Sequence, residues 1–301
     1  MQKNNGIYPV VLFLYKRPDS SKELLTRISA AGIEKIYIFA DGPKTKEDQV
    51  ATNAVKTIVQ NFANETPQIA CISSFSKENL GLETNIVSGL NDVFTKEKAA
   101  IILEDDCLPH PDFFRFTSEM LTKYQDEKSV LSVTGTSVEY QGRESYVFSR
   151  YQLCWGWATW ARAWAQYDHE LLGLAQTRLK YTNWLSAWYW QQIFALIKKH
   201  EIKTWDYQWS YTHFINHGLA VIPTANLITN IGFDEVATHT KVKSVAAEMP
   251  MQELSWPLRS PTKVSENIAM SHAIEKKFYL HPTAILGLCK YLFIDYLKGK
   301  K

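Results

Sequence analysis

The sequence predicts an α/β fold with a mostly parallel central sheet flanked by helices and a helical, aromatic-rich C-terminal part. Apolar runs short enough for buried strands alternate with segments whose apolar residues recur at helical spacing. The turns at 41–43 and 79–81 contain Asp, Gly, Pro and Asn. Strands separated by helices in this way are typical of parallel sheets with right-handed crossovers.

The elements of the first half follow one another at regular intervals. The predicted strands are 9–15, 35–40, 68–73, 99–103 and 129–133. Apolar residues at helical spacing predict the first three intervening helices: Leu24, Leu25 and Ile28; Val50, Ala54, Ile58 and Phe62; Ile86, Leu90 and Phe94.

Three acids, Glu104, Asp105 and Asp106, follow the fourth strand directly. Prolines then interrupt regular structure, and a helix resumes near Asp112, a residue suited to the N-cap. Adjacent acids repel and raise each other's pKa, a conflict that a hard divalent cation removes. The alternative is a solvated acidic loop. Ligands of open α/β sheets bind at this carboxyl edge, so the stretch is the main candidate site.

The stretch LEDDCLPHPDFFRF resembles the metal-binding motif of GT-A glycosyltransferases. It is similar to the form found in the N-acetylglucosaminyltransferases that start N-glycan branching and in bacterial family 2 transferases. The resemblance implies a GT-A fold, with Asp106 binding Mn²⁺ or Mg²⁺ against the diphosphate of a nucleotide sugar. It also implies that Asp105 lies near the nucleotide and Glu104 near the sugar.

The same resemblance gives a meaning to four further residues of the first half. The loop after the first strand would contact the nucleotide through Lys16 and Arg17, and Asp41 would bind the base, often uracil. Asn79 would lie over the nucleotide. The alternatives are a solvated basic pair, an Asp-Gly turn and a helix cap.

A strand is predicted at 145–150, and the tryptophan-rich segment 154–160 that follows reads as a loop. Gly156 would let the backbone pass close to another group. The resemblance makes Gly156 and Trp157 a wall for the donor or acceptor sugar, whereas a hydrophobic lid over the core is the alternative.

The segment 203–217 combines an acid with a predicted helix that carries Trp209 and His213. From the residues alone, Asp206 is the N-cap of that helix. The resemblance instead implies that Asp206 is the catalytic base, with Trp205 beside the sugar. It further implies that His239 is a metal or diphosphate ligand, although a solvated loop histidine is the alternative.

The remaining elements predict structure rather than chemistry. The apolar stripe of a helix at 181–200, including Trp184 and Trp188, is predicted to pack on the core, and 219–223 is a strand. We expect a glycosyltransferase domain at 1–240, with a nucleotide-binding half (1–134) and an acceptor half (135–240), followed by an extension at 241–301. An amphipathic helix within 281–301 would either dock on the core or lie on an anionic membrane surface.

Composition and missing motifs exclude several classes. The 301 residues have a net charge of +2, which gives no attraction to nucleic acid. GxGxxG does not follow the first strand and GxxxxGK[ST] is missing, which disfavours dinucleotide dehydrogenases and P-loop kinases. The four cysteines form no CxxC pair. The N-terminus is too polar for a signal peptide, and no apolar run would span a membrane.

The resulting hypothesis is a metal-dependent hexosyl- or N-acetylhexosaminyltransferase. It would move a sugar, with inversion, from a nucleotide sugar (a UDP-sugar by resemblance) to a glycan or lipid-linked acceptor. We expect a cytoplasmic protein on the inner face of the membrane, in bacterial surface-polysaccharide synthesis. The alternatives are a sugar nucleotidyltransferase and a non-catalytic carbohydrate-binding relative.

Overall fold

The computed structural model describes residues 7–175, 179–232 and 249–298 and confirms a mixed α/β fold with a large central sheet flanked by helices. The strands are β1 (Val10–Leu14), β2 (Lys35–Ala40), β3 (Ala70–Phe75), β4 (Ala99–Glu104), β5 (Cys107–Pro109), β6 (Val130–Thr134), β7 (Tyr146–Ser149), β8 (Trp157–Trp160), β9 (Leu219–Pro223) and β10 (Ile228–Asn230). The helices are α1 (Pro18–Ala30), α2 (Asp48–Glu65), α3 (Leu82–Val93), α4 (Pro111–Lys123), α5 (Ala161–Trp164), α6 (Trp184–Lys198), α7 (Asp206–Ile215), α8 (Ile268–Ile274) and α9 (Pro282–Lys298).

The main sheet has eight strands in the order β3-β2-β1-β4-β8-β6-β9-β7. The first four strands in this order pair in parallel, as do β6 and β9. Strand β8 is antiparallel to both of its neighbours, and β7 is antiparallel to β9. A separate pair joins β5 to β10. The parallel half therefore brings the ends of β1, β2 and β4 to one edge.

The predicted start of α4 was wrong in its detail. The N-cap is His110, whose Nδ1 accepts the Asp112 N–H at 3.2 Å. The Asp112 carboxylate instead accepts the Leu254 N–H and the Trp256 indole N–H, both at 3.0 Å. A contact from the C-terminal part of the chain thus takes the place of the predicted local cap.

Strand β8 corrects the prediction of a loop at 154–160. Trp157 and Trp160 are 1% and 3% exposed, and Trp157 pairs in register with Ile102 of β4. Because the strand is buried on both faces, its aromatic residues give no alternating pattern that would identify it from the sequence.

The hydrophobic core forms two clusters. One fills the parallel half of the sheet, and the other lies among α6, α7, α8 and the C-terminal helix. The prediction that Trp184 packs on the core is wrong, because its side chain is 79% exposed at the start of α6. Tyr189, Trp190 and Phe194 form the buried side of that helix instead.

A buried carboxylate fastens the C-terminal segment to the rest of the fold. Glu275 is 3% exposed and begins a single π-helical turn, Glu275–Tyr279, between α8 and α9. It accepts hydrogen bonds from the hydroxyls of Tyr151, Thr182 and Ser186. Three donors satisfy the buried charge and fix the position of the turn.

Helix α9 realises the predicted amphipathic pattern. Leu288 is buried, and Ile285 and Leu292 pack against the second core cluster. Leu286 and Phe293 are 68% and 63% exposed on another side of the helix. Within the described residues no helix combines the length and the apolar character that crossing a bilayer requires.

His213 on α7 makes stability depend on pH. The ring is fully buried; its Nδ1 donates to the Trp209 carbonyl at 3.0 Å, so its Nε2 accepts from the Ser132 hydroxyl at 2.9 Å. Burial lowers the pKa of His213 to about 4, against about 6.5 in the unfolded chain. We expect this residue to remove about 3 kcal/mol of stability as pH falls from 6.5 to 4, because the unfolded state binds the proton first.

Urea unfolding between pH 7 and pH 4 measures this effect. His213→Gln should flatten the pH dependence by up to one proton, whereas His272→Gln, at an exposed histidine, should leave it unchanged. An unaltered slope in His213→Gln would contradict the assignment.

Candidate active site

The three acids leave the sheet where β4 ends. Glu104 is the last residue of β4, and Asp105 and Asp106 form the turn that leads into β5. All three side chains are half-buried. Since β4 pairs with β1 on one side and β8 on the other, and β5 pairs with β10, hydrogen-bonded strands hold the turn from both ends. The acids therefore lie at the carboxyl edge, as predicted.

Asp105 ties this turn to the loop after β1. Its Oδ2 accepts the Tyr15 N–H at 2.8 Å, and Arg17 Nε lies 3.8 Å from its Oδ1. Burial and then the charge of Asp106 raise the pKa of Asp105 to about 7, although the Tyr15 N–H and Arg17 act in the opposite direction. The structure thus brings Arg17 and Asp105 together. Lys16 points elsewhere, with its Nζ 2.9 Å from Oδ1 of Asp48.

Asp106 is fixed through both its backbone and its neighbours. Its carbonyl accepts the Ile231 N–H at 2.8 Å, and the Cys107 thiol lies 3.3 Å from its Oδ1. A Cβ added to Gly232 would stand 2.3 Å from Oδ2 of Asp106. Only a glycine permits this approach of the chain after β10 to the carboxylate. The sequence contains no local signal for the role of Gly232, since Asp106 lies far away along the chain.

Asp206 comes from the other half of the chain, and its charge acts on Glu104. It is the first residue of α7, whose N-cap is Trp205, and its carboxylate accepts the Thr204 hydroxyl. Burial, followed by the charges of Asp106, Asp105 and Asp206, raises the pKa of Glu104 well above its usual value. Because the N-cap is Trp205, the prediction that Asp206 caps its helix was wrong by one position.

Asp41 and Asn79 also meet, although mainly with each other. Asp41 is 7% exposed, and it accepts from Asn79 Nδ2 at 2.9 Å and from the N–H groups of Gly42, Leu80 and Gly81 at 2.8–3.1 Å. Four donors fill the acceptor positions of a carboxylate. A base that bound Asp41 would have to replace one of these bonds.

The tryptophans predicted beside the sugar lie beneath the cleft. Trp157 and Trp205 are 1% and 2% exposed and stack with their centroids 5.3 Å apart. Gly156 has a φ of 61°, and a Cβ there would stand 2.3 Å from Cδ1 of Ile228. Core packing, the alternative considered for these residues, accounts for their positions. The half-buried indole of this segment is Trp155.

The metal ligands predicted from the sequence are Asp106 and His239. His239 lies outside the described residues. Across the described ranges, no three His, Cys, Asp or Glu side chains are grouped so that they could share a metal ion.

No protein-family model and no curated protein sequence matches the chain. Among solved structures it is similar to mannosyltransferase PcManGT from Pyrobaculum calidifontis in complex with GDP-Man and Mn²⁺, at 15% identity and a TM-score of 0.36, over 50% of this chain and 44% of that one. It is also similar to S. aureus TarS 1–349, at 11% identity and a TM-score of 0.43, over 73% and 59% of the two chains.

A third similar structure is UDP-glucose pyrophosphorylase complexed with UDP-glucose, at 9% identity and a TM-score of 0.37, over 72% of this chain and 90% of that one. The chain spans less than two thirds of the length of the first two structures. At these identities and TM-scores the likenesses assign no activity to this chain.

Proposed function

We propose that the protein transfers a sugar from a nucleotide-diphosphate sugar to a hydroxyl group, in the presence of Mn²⁺ or Mg²⁺. The observation that carries this proposal is the run of three half-buried acids, Glu104, Asp105 and Asp106, at the carboxyl edge of the sheet, with the charge of Asp206 also raising the pKa of Glu104. Such a group of acids suits two substrates. The donor diphosphate would bring a cation to Asp106, and the acceptor would bring a hydroxyl to Asp206.

The acids fit a hard divalent cation. Mg²⁺ and Mn²⁺ prefer carboxylate oxygens and often share their coordination shell with phosphates. Burial and mutual repulsion raise the pKa of Glu104 and Asp105, and a nearby cation would relieve that repulsion. Asp106 would hold the cation. When bound, the cation would stabilise the negative charge on the leaving diphosphate.

The donor would lie across the ends of β1, β2 and β4. Arg17 is placed beside Asp105, where a guanidinium suits a phosphate or ribose oxygen. Lys16, Asp41 and Asn79 remain part of the proposed nucleotide site, with Asp41 and Asn79 shaping the turn that borders it. Glu104 is proposed to face the sugar.

Asp206 is the proposed base. Its carboxylate would accept the proton of the acceptor hydroxyl as that oxygen bonds to the anomeric carbon. The bond from that carbon to the diphosphate oxygen breaks on the opposite face, and the electron pair leaves with the diphosphate. A single displacement of this kind inverts the anomeric configuration. The Thr204 hydroxyl donates to this carboxylate, which lies in the first turn of α7.

Asp106→Asn is expected to reduce metal-dependent turnover at least about 100-fold, because one ligand charge beside the diphosphate is lost. A panel of nucleotide sugars with and without Mn²⁺ provides the assay, with release of the nucleoside diphosphate as the readout. Asp126→Asn is the matched control, since Asp126 is exposed and precedes β6 at the opposite edge of the sheet.

The same assay separates the alternatives. A sugar nucleotidyltransferase would release pyrophosphate, and a carbohydrate-binding relative would bind glycans without any turnover. Metal-dependent release of a nucleoside diphosphate that survives in Asp106→Asn would refute the metal assignment.

Asp206→Asn is expected to slow transfer by about 10²–10⁴-fold, the range for a lost general base. Nucleotide affinity, measured by calorimetry with UDP and Mn²⁺, should stay within about twofold, because Asp206 is proposed to contact the acceptor. Wild-type transfer rates in the variant would reject Asp206 as the base, and a parallel loss of UDP affinity would move it to the donor site.

We also propose that the exposed side of α9 contacts an anionic membrane surface. Leu286 and Phe293 are exposed there beside Lys290, and Lys298, Lys300 and Lys301 follow in the sequence. Apolar residues interleaved with lysines are the pattern of helices that lie in the plane of an interface.

Co-sedimentation with vesicles tests this contact. The chain should bind phosphatidylcholine vesicles that contain phosphatidylglycerol, and Leu286→Ser with Phe293→Ser should weaken binding at least about tenfold. The control pair is Leu172→Ser with Ile268→Ser, at two exposed apolar residues outside α9. Equal binding by the two double variants, or no binding by the wild type, would count against the proposal.

A further inference from the structure

Half-buried aromatic rings from two distant parts of the chain contact each other. Trp155 precedes β8, and Phe278 belongs to the π-helical turn that Glu275 fixes. Their ring centroids lie 5.5 Å apart with the planes inclined by 66°. Both rings retain exposed surface, whereas Trp157, two residues after Trp155, is buried.

Hydrogen bonds connect the turn that bears Phe278 to the backbone of Asp206, the proposed base. The Tyr279 hydroxyl donates to the Gln152 carbonyl at 3.1 Å, and Gln152 Nε2 donates to the Asp206 carbonyl at 3.2 Å. The hydroxyls of Tyr207 and Tyr189 lie 3.0 Å apart. The C-terminal segment thus reaches α7 through one glutamine.

The charge of Asp206 acts on Tyr207 and on the Cys154 thiol. Burial, then the neighbouring Tyr189, Asp206 and Tyr279, raises the pKa of Tyr207. Burial, then Asp206 and Glu104, raises the pKa of the Cys154 thiol, which adjoins Trp155 in the sequence. The phenols are therefore neutral at physiological pH, and they can donate and accept hydrogen bonds beside a carboxylate.

We propose that Trp155, Tyr207, Phe278 and Tyr279 form the acceptor site, which takes a pyranose ring and presents one of its hydroxyls to Asp206. This inference rests on the proposed transferase function and names the chemical class of its second substrate. It also makes the C-terminal segment part of that site.

The chemistry of a pyranose matches this surface. One face of the ring presents C–H groups that pack on aromatic rings, and its rim carries hydroxyls that both donate and accept hydrogen bonds. Indole and phenyl rings supply the first kind of contact, and the phenols supply the second. Because the Glu275 hydrogen bonds fix the turn that bears Phe278 and Tyr279, the site is formed before the ligand arrives.

Saturation-transfer NMR with the full chain tests the site. The probes are the methyl glycosides of glucose, galactose, mannose and N-acetylglucosamine, each measured with UDP and diamagnetic Mg²⁺ present. At least one glycoside should bind the wild type. Phe278→Ala and Trp155→Ala should weaken its binding about tenfold or more, through the loss of one aromatic contact surface.

Matched variants distinguish a lost contact from a lost fold. Ile268→Ala lies in the same C-terminal segment and Trp184→Ala removes an exposed indole; both should bind the glycoside as the wild type does. Phe278→Leu keeps an apolar side chain but no ring, and it should bind like Phe278→Ala while its circular dichroism spectrum and melting temperature stay close to wild type.

The outcomes separate this inference from the proposed function. Wild-type glycoside affinity in Phe278→Ala and Trp155→Ala, or no binding of any probe by the wild type, would overturn the acceptor site. Calorimetry with UDP and Mn²⁺ is independent of that result. Glycoside binding that the variants lose, in a protein that does not bind UDP, would support the aromatic site and refute the transferase.

Discussion

Mutual repulsion among the half-buried carboxylates at the end of β4 and the start of α7 is the constraint on which the rest of the structure depends. Glu104, Asp105 and Asp106 are consecutive at the end of β4 and in the turn after it. The charge of Asp206, at the start of α7, also acts on Glu104. Bringing like charges together away from water is unfavourable unless other groups compensate. The Tyr15 N–H, Arg17 and the Thr204 hydroxyl compensate part of this charge. In the proposed function, a bound cation would compensate the remainder.

The position of Asp206 follows from a strand that interrupts the parallel sheet. Strand β8 enters antiparallel between β4 and β6, so that Trp157 pairs with Ile102. Trp157 stacks on Trp205, the residue directly before Asp206. Packing therefore runs without a gap from the strand that bears Glu104 to the helix that bears Asp206. Rigid aromatic contacts of this kind would hold Glu104 and Asp206 at a fixed separation, which the proposed proton transfer and displacement both require.

The sequence predicted β1, β2 and β4 of the parallel half well because each is a largely buried run of five or six residues. The bounds of β2 and β9 agree with the structure, and Glu104, Asp105 and Asp106 lie at the expected edge. It failed where distant contacts decide local structure. Strand β8 has no alternating pattern, and Trp184 lies at helical spacing with core residues yet faces solvent. No local rule contains such information.

The C-terminal segment shows how much depends on those distant contacts. Leu254 and Trp256 donate hydrogen bonds to Asp112 at the start of α4. Tyr279 donates to Gln152, which in turn donates to the backbone carbonyl of Asp206. The contacts of Leu254 and of Tyr279 join residues more than one hundred positions apart, where a sequence offers no periodicity to follow. Helix α9, with its exposed apolar side, begins three residues after Tyr279. A membrane that bound α9 would therefore lie close to the aromatic acceptor site, and a saccharide carried on a lipid would reach Asp206 without leaving the surface.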